Sequence, residues 1–171
     1  MEAEAEVGEW FLRFLPPEEL NRLEQVPVRI RTGHEFELLG LLGAWYLHVR
    51  KLTADVPLPD TDQTAWGIHD VVAALFLRDF VERGLAELGV ERTAGVDAAV
   101  ADVDDRFRAL TEEDESGRLA LAEPDAAGHT DWWWRRIPAS GPARRELDEI
   151  VAQENASSVR ETGEPSEGAR D

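Results

Sequence analysis

The chain has 171 residues, 43% of them hydrophobic, no cysteine, and 36 acidic against 18 basic side chains, for a formal net charge of −18. That length fits one domain of common size with room for a tail. The lack of cysteine excludes disulfides, thiolate metal sites and thiol nucleophiles, and the acidic excess argues against nucleic acid or an anionic membrane as partner, since both need a basic footprint.

The same charge suits a basic protein partner, or simply a well-solvated surface. Lys51 is the only lysine, and an acid-rich, lysine-poor surface also suits a high-salt cytoplasm. The opening MEAEAEVGEW is acidic where a signal peptide would be basic. The most apolar runs, FELLGLLGAWYLHV and VVAALFL, are shorter than the roughly 20 residues that span a bilayer. The expectation is a cytoplasmic protein.

In chain order, residues 2–15 form the first predicted helix, with Val7, Phe11 and Phe14 on one face and Glu2, Glu4 and Glu6 at the positive end of the dipole. Pro16 and Pro17 stop it, and Pro17 opens a short second helix, PEELNRLEQ. Residues 26–32, VPVRIRT, alternate apolar and basic side chains and read as a short edge strand closed by Gly33.

A third helix is predicted over 34–52. Leu38, Leu42, Trp45, Val49 and Leu52 are spaced 4, 3, 4, 3, which is one helical face. Gly40 and Gly43 weaken helix propensity and are expected where another helix crosses closely. A proline-containing loop, 55–64, leads to a fourth helix over 63–88, capped by Asp60, Thr61 or Asp62 and stopped by Gly89. A fifth, over 95–111, repeats the 4, 3, 4, 3 spacing in Val96, Val100, Val103, Phe107 and Leu110. RLALAEP, 118–124, alternates weakly and is expected to pair with VPVRIRT. The last helix runs from Pro142 to Glu154, and the polar stretch from Asn155 reads as a disordered acidic tail.

The fold class that follows is mainly α: a single-domain bundle of five to six helices over residues 2–154, with a minor two-stranded β element and a disordered tail over 155–171.

Chemistry-bearing patterns are sparse. The four histidines, His34, His48, His69 and His129, lack metal-site spacing, no serine sits in a GxSxG elbow, and no phosphate loop is present, so no catalytic residue, metal or cofactor is assigned. Residues 64–76, TAWGIHDVVAALF, are similar to the second helix of DinB-type four-helix bundles. That resemblance implies a metal-ligating histidine just after the DVVA stretch, where this chain has Ala74, so the metal chemistry is not implied here.

The segment DWWWRRIPASGPARREL, 131–147, stands apart. Trp132, Trp133 and Trp134 cannot all enter one core from a regular helix or strand, and tryptophan and arginine are the residue types most enriched in binding hot spots. From Trp132 to Arg145 there are four arginines, Arg135, Arg136, Arg144 and Arg145, and no acid. Gly141 and Pro142 mark a helix N-terminus that favours anions. Two functions follow from different classes. One is a non-enzymatic interaction or regulatory module whose acidic faces bind a basic protein partner, with the Trp/Arg segment as a second contact. The alternative is a small helical ligand-binding protein or enzyme with a pocket between the central helices near Trp45, Tyr46, His48, Trp66 and His69. Self-association of a structural subunit is a third course.

Overall fold

The computed structural model describes residues 2–162. The chain is mainly α. Its centre is α3 (Leu38–Asp55), α4 (Ile68–Leu88) and α5 (Ala94–Leu110), which pack against one another. The spacing that predicted α3 and α5 is the spacing that is buried. Leu38, Leu42, Trp45, Val49 and Leu52 of α3 and Val96, Val100, Val103 and Phe107 of α5 all lie in one core, with Ile68, Leu75, Val81 and Leu85 of α4 between them. α1 (Glu2–Phe11) and α2 (Pro17–Glu24) lie on α3, and α7 (Pro142–Thr162) packs against α4 and the short α6 (Leu119–Ala122).

At the centre of this core sits an ion pair. Arg78 of α4 donates from Nε to Asp104 Oδ1 at 2.9 Å and from Nη2 to Oδ2 at 3.0 Å, and Trp45 Nε1 donates to the same Oδ1 at 3.1 Å. Burial alone would pull the Arg78 pKa down. The carboxylates of Asp104 and Glu82 outweigh that, so the guanidinium is held above its ordinary value. One polar cluster thus ties the three central helices together.

Several boundaries differ from the sequence expectations. β1 (Pro27–Arg31) is a strand as expected, but its partner is β2 (His34–Glu37), antiparallel across a turn in which Gly33 takes φ 79°. A left-handed glycine lets adjacent residues pair at once, so α3 starts at Leu38 rather than His34. Residues 118–124 are not β1's partner. The Asp114 carboxylate accepts from the amides of Arg118 and Leu119, both at 2.8 Å, and starts the helical turn of α6. A second two-stranded ribbon, β3 (Thr111–Glu113) with β4 (Arg136–Pro138), was not expected.

α4 begins at Ile68, five residues later than the expected Gln63. Its start is held from two sides: the Asp70 carboxylate accepts from the Gly67 amide at 2.9 Å, and Glu146 of α7, far along the chain, accepts from the Ile68 amide at 2.7 Å. Asp62 instead folds onto Thr64, accepting from its amide at 2.9 Å and its hydroxyl at 2.7 Å. The Thr64 hydroxyl and amide hold the Asp62 carboxyl below its usual pKa. α7 continues to Thr162 where disorder was expected from Asn155, and residues 152–160 are exposed along this extension. Residues 163–171 of the expected tail lie outside the described residues. No helix among the described residues is long and apolar enough to cross a membrane.

Candidate functional site

The three tryptophans occupy a tight 3-10 turn, Trp132–Arg135, which is neither of the geometries weighed from sequence. In that turn Trp133 and Trp134 both point inward and are 3% exposed. Their indole nitrogens converge on one acceptor: Asp79 Oδ1 lies 2.7 Å from Trp133 Nε1 and 2.9 Å from Trp134 Nε1. The Arg78 guanidinium stands 4.3 Å over the Trp133 ring, and His129 stacks on Trp134 at 4.0 Å. Trp132 is half-buried, tilted against Phe107, with the Arg108 guanidinium 3.7 Å from its ring centroid. Two of the three indoles therefore anchor the segment, and one keeps an accessible edge.

The arginines divide in the same way. Arg144 is clamped by Glu112 at 2.6 Å and Asp148 at 2.9 Å. Its bond to Glu112 leads the causes that raise its pKa and, reciprocally, lower that of Glu112. Arg145 pairs with Asp60 and donates to the Leu58 carbonyl at 2.9 Å. Arg136 is pinned to Thr111 through its hydroxyl and carbonyl, both at 2.7 Å. Arg135 is exposed and has no ion-pair partner among the described residues. Arg108, Trp132, Arg135 and Arg136 line a cleft of about 470 Å³, but Glu113, Asp114 and Glu115 line it too, so its charge is mixed. The helix start at Gly141 is buried, and a Cβ there would sit 3.0 Å from the Val56 Cα. It offers no open anion seat. The seven residues, Trp132 to Arg136 with Arg144 and Arg145, are not assembled into a single cationic surface.

The five residues of the alternative pocket do not share one cavity: only His48 and Trp66 meet, ring to ring. Trp45 is fully buried on Asp104. Tyr46 stacks on Trp10 of α1 at 4.5 Å and donates to Glu6 at 3.0 Å. His48 Nδ1 lies 2.9 Å from the Ala44 carbonyl oxygen, and its ring centroid is 5.0 Å from that of Trp66. His69 is exposed in the first turn of α4. Trp66 borders a small apolar recess of about 30 Å³ with Leu52, Phe107 and Pro138, room for about one or two waters. Among the described residues no cluster of three or more His, Asp or Glu side chains could hold a metal ion.

A larger feature lies elsewhere. A groove of about 770 Å³ runs between α1, α2 and α3. Its floor and walls are Val7, Gly8, Phe11, Leu20, Leu39, Gly40, Gly43, Ala44 and Leu47, and its rim carries Glu4, Glu24 and Glu37. Gly43 is the expected crossing point: a Cβ there would lie 3.0 Å from Val7 Cγ1 of α1. Gly40 is not. A Cβ at Gly40 would meet only the Glu37 carboxylate at 3.9 Å, and one at Gly8 would meet nothing within 4 Å.

No protein-family model, no curated protein and no solved structure matches the chain. The groove carried a faint trace in the sequence, the glycines of α3, but an open floor and a tight crossing leave the same residue type behind.

Proposed function

We propose that this chain is a non-enzymatic, acidic protein-interaction module that binds a basic protein partner. The observation that carries the reading is the division of charge on the folded chain. Basic groups of the Trp/Arg segment are largely drawn into internal contacts with Glu112, Asp148, Asp60 and Thr111. Acids such as Glu9, Glu18, Glu24, Glu37, Glu87 and Glu91 are exposed and have no basic partner among the described residues. A surface with that imbalance attracts cationic proteins over a distance and speeds their encounter. The accessible edge of Trp132, beside Arg108 and Arg135, is a subordinate contact in this reading.

The test is chemical cross-linking and affinity capture of the tagged chain from the cells that produce it, at low and at high salt. The expected result is a partner with a basic surface, released as salt rises. Recovery of acidic or neutral partners only, or of a complex indifferent to salt, overturns the proposal.

A further inference from the structure

The groove between α1, α2 and α3 identifies a class of partner, and the inference rests on the acidic-module reading above. We infer that this groove takes an amphipathic helix whose apolar face is flanked by lysine or arginine.

Three observations converge on it. The first concerns the two glycines. A glycine within a helix destabilises it, and it persists where something must approach the backbone. Gly43 has such a neighbour inside the chain, in Val7 and Phe11, whereas Gly8 and Gly40 have open space where a side chain would stand. Both line the groove, on different helices, so the fold itself makes no use of their missing side chains, and the groove does.

The second is size. Leu39, Gly40, Gly43, Ala44 and Leu47 extend along one side of α3 for about 12 Å at 1.5 Å per residue. The groove, of about 770 Å³ and open on one side, is long enough for about two turns of a docked helix.

The third is charge. Glu24 and Glu37 are exposed carboxylates on the rim, and Glu37, although it precedes α3, makes no side-chain cap to it. Carboxylates left free beside an apolar floor match a helix with basic flanks, the arrangement by which grooves commonly read amphipathic helices. The other occupants fit less well. A second copy of this chain brings another −18 of charge against the same acidic rim. The segment 163–171, GEPSEGARD, has no large apolar side chain to bury.

The probe is an 18-residue helical peptide of leucine, alanine and lysine with one apolar face, compared with a peptide of the same composition in non-amphipathic order and with a glutamate-for-lysine version. Binding is followed by fluorescence anisotropy and mapped by amide NMR shifts on the full chain. The expected result is that the first peptide alone binds, that shifts gather at Gly8, Gly40, Ala44 and Leu47, and that Gly40→Leu and, separately, Gly8→Leu each weaken binding at least tenfold. Glu24→Gln/Glu37→Gln is expected to weaken it several-fold at low salt, and Glu87→Gln/Glu91→Gln, away from the groove, less than twofold. Circular dichroism confirms that each variant is folded. The inference is overturned if the disordered-order peptide binds equally, if shifts gather outside the groove, if the control pair weakens binding as much as the rim pair, or if light scattering shows a dimer that Gly40→Leu dissociates. Failure here and failure of the broader reading are distinguishable: a natural basic partner that is still captured by Gly40→Leu would leave the acidic module standing and remove the groove as its site.

Discussion

Arg78 holds Asp104 in a two-bond grip at 2.9 and 3.0 Å, with the two side chains 5% and 7% exposed. A buried pair of this kind is a weak source of net stability, because desolvation offsets much of the attraction. Removing Asp104 is another matter, since it leaves the buried Arg78 guanidinium with only the half-exposed Glu82, at 2.9 Å, as its ionic partner. Asp104→Ala is expected to cost about 3–5 kcal/mol, and it also strips Trp45 of its acceptor. The double variant Arg78→Met/Asp104→Leu is expected to recover much of that loss. Urea unfolding of the three proteins checks this, and a double variant no more stable than Asp104→Ala would contradict it.

Asp79 is the second polar pivot. It accepts both Trp133 and Trp134 indole N–H groups while lying at the edge of the core. Asp79→Ala leaves two buried donors without a partner, at about 1–3 kcal/mol each if no water reaches them. The variant is expected to lose stability and to show increased exposure of these two indoles to acrylamide quenching. Trp132→Ala is expected to be milder, because that ring is already half-exposed. An Asp79→Ala protein with unchanged quenching would show that the pivot does not hold the turn.

What could be read from the sequence was what repeats along a single element. The seam Leu38, Leu42, Trp45, Val49, Leu52 and its counterpart in α5 follow from helical period alone, and both are buried. What could not be read depends on residues far apart in the chain. Asp79 is one acid among many until the turn at Trp132–Arg135 brings two indoles to it. Glu146 caps α4 from 78 residues away. β1 offered an alternation that any partner could have satisfied, and the nearest segment took it. The groove left only an ambiguous trace: it is made partly of absent side chains, and the sequence shows Gly40 and Gly43 as alike although one is packed and the other open.

The glycines give a graded prediction. At Gly8 a methyl group meets nothing within 4 Å, so Gly8→Ala is expected to stabilise the chain by about 0.5–1 kcal/mol through helix propensity. At Gly43 the same methyl presses on Val7 at 3.0 Å, and the gain is expected to be cancelled. At Gly84 it would lie 2.5 Å from Leu38 Cδ1 and 2.8 Å from Val28 Cγ2, where β1 leans on α4, and overpacking is expected to cost about 1–3 kcal/mol. Thermal melts in which Gly8→Ala does not exceed Gly43→Ala would mean that the groove floor at Gly8 is not free space, and a Gly84→Ala protein as stable as the wild type would mean that β1 yields to the added methyl.

The pairing of Glu112 with Arg144 predicts a signature in acid. The Arg144 guanidinium holds the Glu112 carboxyl below its usual pKa. A carboxylate with a lowered folded-state pKa adds stability that is fully present above its unfolded pKa and is lost as pH falls through the folded one. Loss should therefore begin near the ordinary glutamate value of about 4.3 and finish below the lowered value. Arg144 is shifted the other way, upward, so its share would fade only in strong alkali and leaves neutral pH untouched. Glu112→Gln is expected to be less stable than the wild type at neutral pH and equal to it once acid has protonated Glu112. Raising the salt should also narrow the neutral-pH gap, because the pair is exposed to solvent. The check is a series of urea midpoints for both proteins across pH. A gap that survives in acid would mean that the loss in Glu112→Gln comes from packing between β3 and α7 and not from the charge on Glu112.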